Sequence, residues 1–142
     1  YEILDPGKLS NLYIAYKTEL SKVSGTVLND IRSRYEQKED AVINTLSEIG
    51  NLAAKGRGFI REGDMESLKE LMNRNFDLRS EIMNISDSNR ELIETARRCG
   101  VSAKFAGSGG SVIGIYDNNE MLTRLIVEMK KIKARVIKPY IL

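Results

Sequence analysis

The chain has no histidine, no tryptophan, a single cysteine at position 99 and only two prolines. Without histidine it can supply no His-ligated metal site, no Ser-His-Asp triad and no Cys-His dyad of its own, and no metal site is expected. One cysteine leaves no internal disulfide and fits a reducing, cytoplasmic setting. No run of about 18 apolar residues is present, so no membrane-spanning helix is expected, and no signal peptide is visible. Charge of one sign is also missing. The 22 basic and 20 acidic side chains leave a formal +2, and they are mixed along the sequence, which gives no basic footprint for nucleic acid.

What remains is the composition of a globular protein, 142 residues with 42% hydrophobic and 30% charged side chains, expected to form a single domain over 1–142. The chain opens at Tyr1 rather than Met, as expected of a fragment or a processed product. Glycine is concentrated where the rest of the chain converges, in Ala-Lys-Phe-Ala-Gly-Ser-Gly-Gly-Ser-Val-Ile-Gly-Ile-Tyr, residues 103–116. Two short apolar runs, 103–106 and 112–116, flank a loop of small residues at 107–111, the pattern of two strands joined by a tight connection. Gly107, Gly109 and Gly110 allow positive φ and close approach of backbone, and Ser108 and Ser111 add short hydroxyls. Such a loop either turns several N–H groups toward one anion or is a hairpin turn with no ligand.

In chain order, Asp5-Pro6-Gly7 reads as a turn and 12–17 as a strand with Tyr13 and Tyr16 on opposite faces. A polar loop at 19–25 leads to a helix over 26–35, in which Val27, Leu28, Ile31 and Tyr35 keep helical spacing. After a charged break at 36–40, Val42, Leu46, Ile49, Ala53 and Ile60 mark a second helix, its stripe widened by Ile43 and Leu52. Gly50, Gly56 and Gly58 each weaken it by up to about 1 kcal/mol relative to alanine, which suggests close packing or a kink. Asp64 is the expected N-cap of a helix over 65–83, with Met65, Leu68, Met72, Phe76 and Met83 on one stripe. A capping-box pattern, Ser88-Asn-Arg-Glu91, opens the next helix. Leu92, Ile93, Ala96 and a core thiol at Cys99 form its buried stripe, and Gly100 stops it. Asp117-Asn118-Asn119 caps a last helix with Met121, Leu122, Leu125, Ile126, Met129 and Ile132 inward. Lys130, Lys131 and Lys133 close it, and a strand follows over 135–142, limited by Pro139.

The polar side of the 65–83 helix is unusual. Asn73 and Asp77 stand four apart, as do Asn75 and Arg79 on a neighbouring face, although asparagine and aspartate are poor helix formers. One reading is a solvated face with Arg74–Asp77 and Asn73–Asp77 contacts. The other is a cluster of amide, carboxylate and guanidinium groups suited to sugar hydroxyls and to a carboxylate or phosphate.

The run Lys-Phe-Ala-Gly-Ser-Gly-Gly-Ser-Val-Ile-Gly, 104–114, resembles the third motif of the GHMP kinases, the superfamily of galactokinase, homoserine kinase, mevalonate kinase and phosphomevalonate kinase. Leu-Met-Asn-Arg-Asn-Phe-Asp-Leu-Arg, 71–79, looks like the corresponding helix segment of plant-type glucuronokinases; residues 1–6 with 12–16 resemble the entry into those proteins' C-terminal domain, and 24–27 with 32–35 their next helix, with Leu28 where that pattern has a histidine. The resemblance implies a C-terminal, substrate-side domain working with ATP and Mg²⁺ on a sugar or uronic acid at the anomeric hydroxyl. Gly107, Ser108, Gly109, Gly110 and Ser111 would then face phosphate, and Asn73, Arg74, Asp77 and Arg79 would line the substrate. The family's ATP-binding loop of Pro-x-x-x-Gly-Leu-Gly-Ser-Ser type does not occur here. An N-terminal domain is therefore the expected partner, no catalytic residue is expected in this chain, and the chain alone should be inactive. A stand-alone ligand-binding or regulatory module is the alternative, and a structural partner that exposes the 42–60 stripe is a third reading.

The element order of one strand, several helices, two strands, a helix and a strand is that of an α+β, ferredoxin-like two-layer sandwich, a split β-α-β with an expanded helical crossover. The resemblance implies the same fold.

Overall fold

The computed structural model describes residues 2–9, 11–17 and 25–140. Its elements are β1 (Leu12–Lys17), α1 (Gly25–Glu36), α2 (Asp40–Glu62), α3 (Met65–Ile82), α4 (Asp87–Arg98), β2 (Lys104–Phe105), β3 (Ser111–Ile115), α5 (Asn119–Lys131) and β4 (Ala134–Ile137). The four strands form one sheet in the order β2-β3-β1-β4, with every neighbouring pair antiparallel. This is the split β-α-β topology with four helices in the first crossover, as the element order implied. Of the loop expected at 19–25, residues 19–24 lie outside the described residues and Gly25 opens α1; the last two positions of the strand expected at 135–142 also lie outside them.

Strand alternation divides the core in two. Tyr13, Ala15, Phe105 and Val112 face α4 and α5 in the larger cluster, with Leu92, Ala96, Leu125 and Met129. Leu12, Ile113 and Ile115 face the other way, onto Leu68 and Met72 of α3 and Phe59 and Ile60 of α2. Helix α3 serves both clusters, because Phe76 meets the Phe105 ring edge-on, with centroids 5.2 Å apart. Burying a large apolar side chain of this kind stabilises by about 1.5–3 kcal/mol, so α3 is held firmly against the β2 edge.

A buried polar lattice ties this edge to the sheet. Tyr13 Oη donates to the Ser102 carbonyl at 2.7 Å, Ile115 N donates to Ser102 Oγ at 2.9 Å, and Ser102 N donates to the Ile115 carbonyl at 3.2 Å. Burial pushes the Tyr13 phenol far above its ordinary value, so it stays a donor. Gly114 lies beneath this lattice, where a Cβ would stand 1.7 Å from the Ser102 carbonyl oxygen.

Several details differ from the sequence pattern. Ser86, not Ser88, caps α4, accepting from Asn89 N at 3.3 Å, while Glu91 pairs with Lys17 at 2.6 Å. On α2 the buried positions are Val42, Thr45, Leu52 and Gly56. Thr45 and Gly56 are not counted as apolar in a pattern search, so the stripe drew in Ala53, which is exposed. The helix runs unbroken through its glycines, with Leu68 and Leu71 of α3 closing over Gly56. The stripe is therefore used internally, which leaves the structural-partner reading without its surface. Ile126 is 46% exposed, one step round α5 from the buried Leu125. Strand β4 stops at Ile137, two residues before Pro139, which has no N–H to continue a ladder. Asp64, Asn118 and Gly100 end their helices as expected.

Candidate functional site

The β2–β3 hairpin is closed by Ala106 N donating to the Ser111 carbonyl at 3.0 Å, which leaves Gly107, Ser108, Gly109 and Gly110 as the loop. Gly109 and Gly110 have φ of 140° and 76°, values that a side chain resists. Asn89, in the first turn of α4, supports the loop from below. Its Oδ1 accepts from Gly110 N at 2.8 Å, and a Cβ on Gly109 would lie 2.6 Å from its Nδ2. Among the described residues the N–H groups of Gly107, Ser108 and Gly109 have no acceptor, the arrangement that suits a loop for an external anion.

Two cations stand at the stem of this loop. Arg79, in the last turn of α3, donates through Nη2 to the Gly107 carbonyl at 2.8 Å, and its guanidinium lies over the Phe105 ring, 5.7 Å from the centroid. Lys104 donates through Nζ to the Phe105 carbonyl at 2.8 Å. Burial lowers the pKa of Arg79. Burial and then the Arg79 charge lower that of Lys104. Among the described residues no carboxylate pairs with either. One helical turn before Arg79, on the same face, the buried Asn75 Oδ1 has no hydrogen-bond partner.

The other residues singled out in the sequence point elsewhere. Asn73 Oδ1 accepts from Ala103 N at 2.9 Å. Asp77 accepts from Arg97 Nη1 at 2.8 Å, and Arg97 Nη2 donates to the Asn73 carbonyl at 2.9 Å. These groups join α3 to α4 and to the segment before β2. Arg74 pairs with Glu48 of α2 at 2.7 Å, away from the loop. Neither an Arg74–Asp77 ion pair nor an Asn73–Asp77 side-chain hydrogen bond forms. Of the four residues expected to line a substrate, only Arg79 is brought to the glycine loop.

Pattern reading did not single out Asn89 or Lys104 as candidate site residues. Lys104 lies within the quoted motif, but alternation alone does not show that it lacks a counterion. Asn89 read as filler in a capping box. The donors here suit phosphate or carboxylate oxygen. No group of three or more His, Cys, Asp or Glu that could hold a metal ion occurs among the described residues. Cys99 is buried, and burial raises its pKa, consistent with a core thiol. No helix among the described residues is long and apolar enough to cross a membrane.

A ferredoxin-like domain with an open glycine hairpin beside an arginine defines the class. The C-terminal region of the GHMP kinases matches residues 57–133, from the end of α2 through the hairpin to the end of α5, and the chain belongs to that family. It is 34% identical to a probable glucuronokinase 2 of Arabidopsis thaliana, over 98% of this chain and 38% of the relative. Against glucuronokinase 1 of the same plant it is also 34% identical, over 90% of this chain and 36% of the relative. The chain thus spans little more than a third of the length of these relatives. Among solved structures, L. major mevalonate kinase in complex with R-mevalonate superposes with a TM-score of 0.78 at 18% identity, covering 93% of this chain and 44% of that one. Lactococcus lactis galactokinase complexed with galactose gives 0.69 at 12% identity, covering 89% and 44%. At such identities these two likenesses show the fold.

Proposed function

We propose that this chain is the C-terminal, substrate-side domain of an ATP-dependent kinase that phosphorylates a sugar or uronic acid of glucuronate type at its anomeric hydroxyl. The observation that carries this reading is the four-residue glycine hairpin, with three N–H groups that have no acceptor among the described residues and a Gly107 carbonyl that accepts from the Arg79 guanidinium. Identity to two glucuronokinases supports the acceptor class. An N-terminal domain would provide the principal nucleotide loop and the catalytic groups, and a cytoplasmic setting belongs to the same proposal.

ATP with Mg²⁺ supplies the phosphoryl group when bound. The residues of this domain contribute positioning and charge. The N–H groups of Gly107, Ser108 and Gly109 hydrogen-bond an oxyanion, Asn89 fixes the loop in the conformation that presents them, and Arg79 places positive charge at the loop stem. Such preorganised donors act without rearrangement as charge develops, and they hold the acceptor in line for transfer.

ADP release by the protein carrying both domains, over a panel of glucuronate, galacturonate, galactose, mevalonate and homoserine, tests the reading, with the 142-residue chain as control. Turnover of one sugar is expected, with none from the control. Arg79→Ala and Gly109→Val are each expected to lower turnover by about 10²-fold or more, the cost of misplacing a bound group. Wild-type rates in both variants would overturn the assignment, and silence across the panel from folded protein would favour a ligand-binding module.

A further inference from the structure

The loop amides do not account for everything at the β2 edge. Arg79 and Lys104 are both half-buried at the stem of one hairpin, their head groups bound to the carbonyls of Gly107 and Phe105, two residues apart, and neither meets a carboxylate among the described residues. Elsewhere the chain neutralises such groups. Lys69, Lys17 and Arg97, all partly buried, each pair with a carboxylate at 2.6–2.8 Å. Two like charges brought together out of water without a counterion are costly to the folded state, and a bound oxyanion relieves that cost directly. Each head group is held by one backbone carbonyl, Gly107 for Arg79 and Phe105 for Lys104. Arg79 keeps four further N–H donors and Lys104 keeps two.

We propose that Arg79 and Lys104 form an anion subsite, separate from the loop amides, that takes the carboxylate of a uronic acid and so selects it over the neutral hexose. This rests on the kinase reading above for the identity of the acceptor. The guanidinium edge matches a carboxylate in two parallel hydrogen bonds, and the ammonium adds a point charge beside it.

Binding of glucuronate and of glucose to the protein carrying both domains, measured by calorimetry and followed by ADP-release kinetics, tests the subsite. Glucuronate is expected to bind at least tenfold more tightly than glucose. Lys104→Met and Arg79→Lys are each expected to cut the ratio of kcat/KM for glucuronate to that for glucose by tenfold or more, mainly through the KM of the uronate. Lys104→Arg should restore most of the ratio, which a merely structural role for the side chain would not require. An unchanged ratio in both variants, or a rise in the KM of ATP with uronate binding intact, overturns the subsite, the latter result assigning the cations to phosphate. If the protein binds neither sugar yet phosphorylates another small molecule of the panel, the uronate subsite fails and the kinase reading stands. If it turns over nothing, both fail.

Discussion

Two polar pairs flank the buried Met72–Phe76 stripe of α3 on opposite sides, built from similar residues within one short stretch, and they end in opposite states. On one, Asn73 and Asp77 are closed by Ala103 and Arg97. On the other, Asn75 keeps an unpartnered oxygen and Arg79 keeps an uncompensated charge, with Lys104 beside it. A satisfied polar group stabilises the fold, whereas an unsatisfied one in a half-buried site is free to recognise something. The residues that look most suited to a substrate are here divided between scaffold and site by their neighbours.

The largest expected effect lies on the closed side. In Gly114→Ala the new methyl would meet the Ser102 carbonyl and the Tyr13 ring at 1.7 and 2.6 Å, with no flexible tip to yield. Destabilisation in the exceptional range, above about 4 kcal/mol, is expected, seen as loss of soluble, cooperatively melting protein. A soluble variant with a normal Tm would show that the edge is less tightly tied than described.

Asn73→Ala and Arg79→Ala form the direct pair. The first leaves the fully buried Ala103 N–H without its acceptor, at a cost of about 1–3 kcal/mol, so its Tm should fall by several degrees while the sugar KM changes little. The second should leave stability within about 1 kcal/mol, since the lost cation–π contact is offset by relief of repulsion with Lys104, while turnover falls steeply. Equal Tm values for the two variants would erase the distinction between the faces.

Proton binding sharpens it further. Because the folded-state pKa of Lys104 is lowered by burial and by Arg79, the unfolded chain holds more protons between that lowered value and the ordinary 10.5. The contribution of Lys104 to stability therefore rises with pH across this window. Titration of the Lys104 ammonium by NMR should place its midpoint below 10.5, and an anionic ligand should move it upward. A midpoint at the ordinary value would remove the charge argument. The smallest effect is expected from Gly107→Ala, where no atom lies within 4 Å of a new Cβ and φ is not positive. Stability should change by less than about 0.5 kcal/mol, and any loss of turnover there would report on ligand contact alone.

The sequence by itself determined the strands and helices to within a few residues, since period-2 and period-3.6 patterns, Asp64 and Asn118 caps and the Gly100 stop are local signals. It also determined the loop, because Gly109 and Gly110 occupy backbone angles that few other residues tolerate. The split β-α-β order followed from counting those elements. Only the tertiary structure decided which side chains share a site. Hydrogen bonds such as Asn73 to Ala103 and Asn89 to Gly110 span 30 and 21 residues, and no periodicity in the chain encodes a partner at that separation. Arg79 and Lys104 lie 25 positions apart, and whether a charge has a counterion depends on what folding brings within a few ångströms of it.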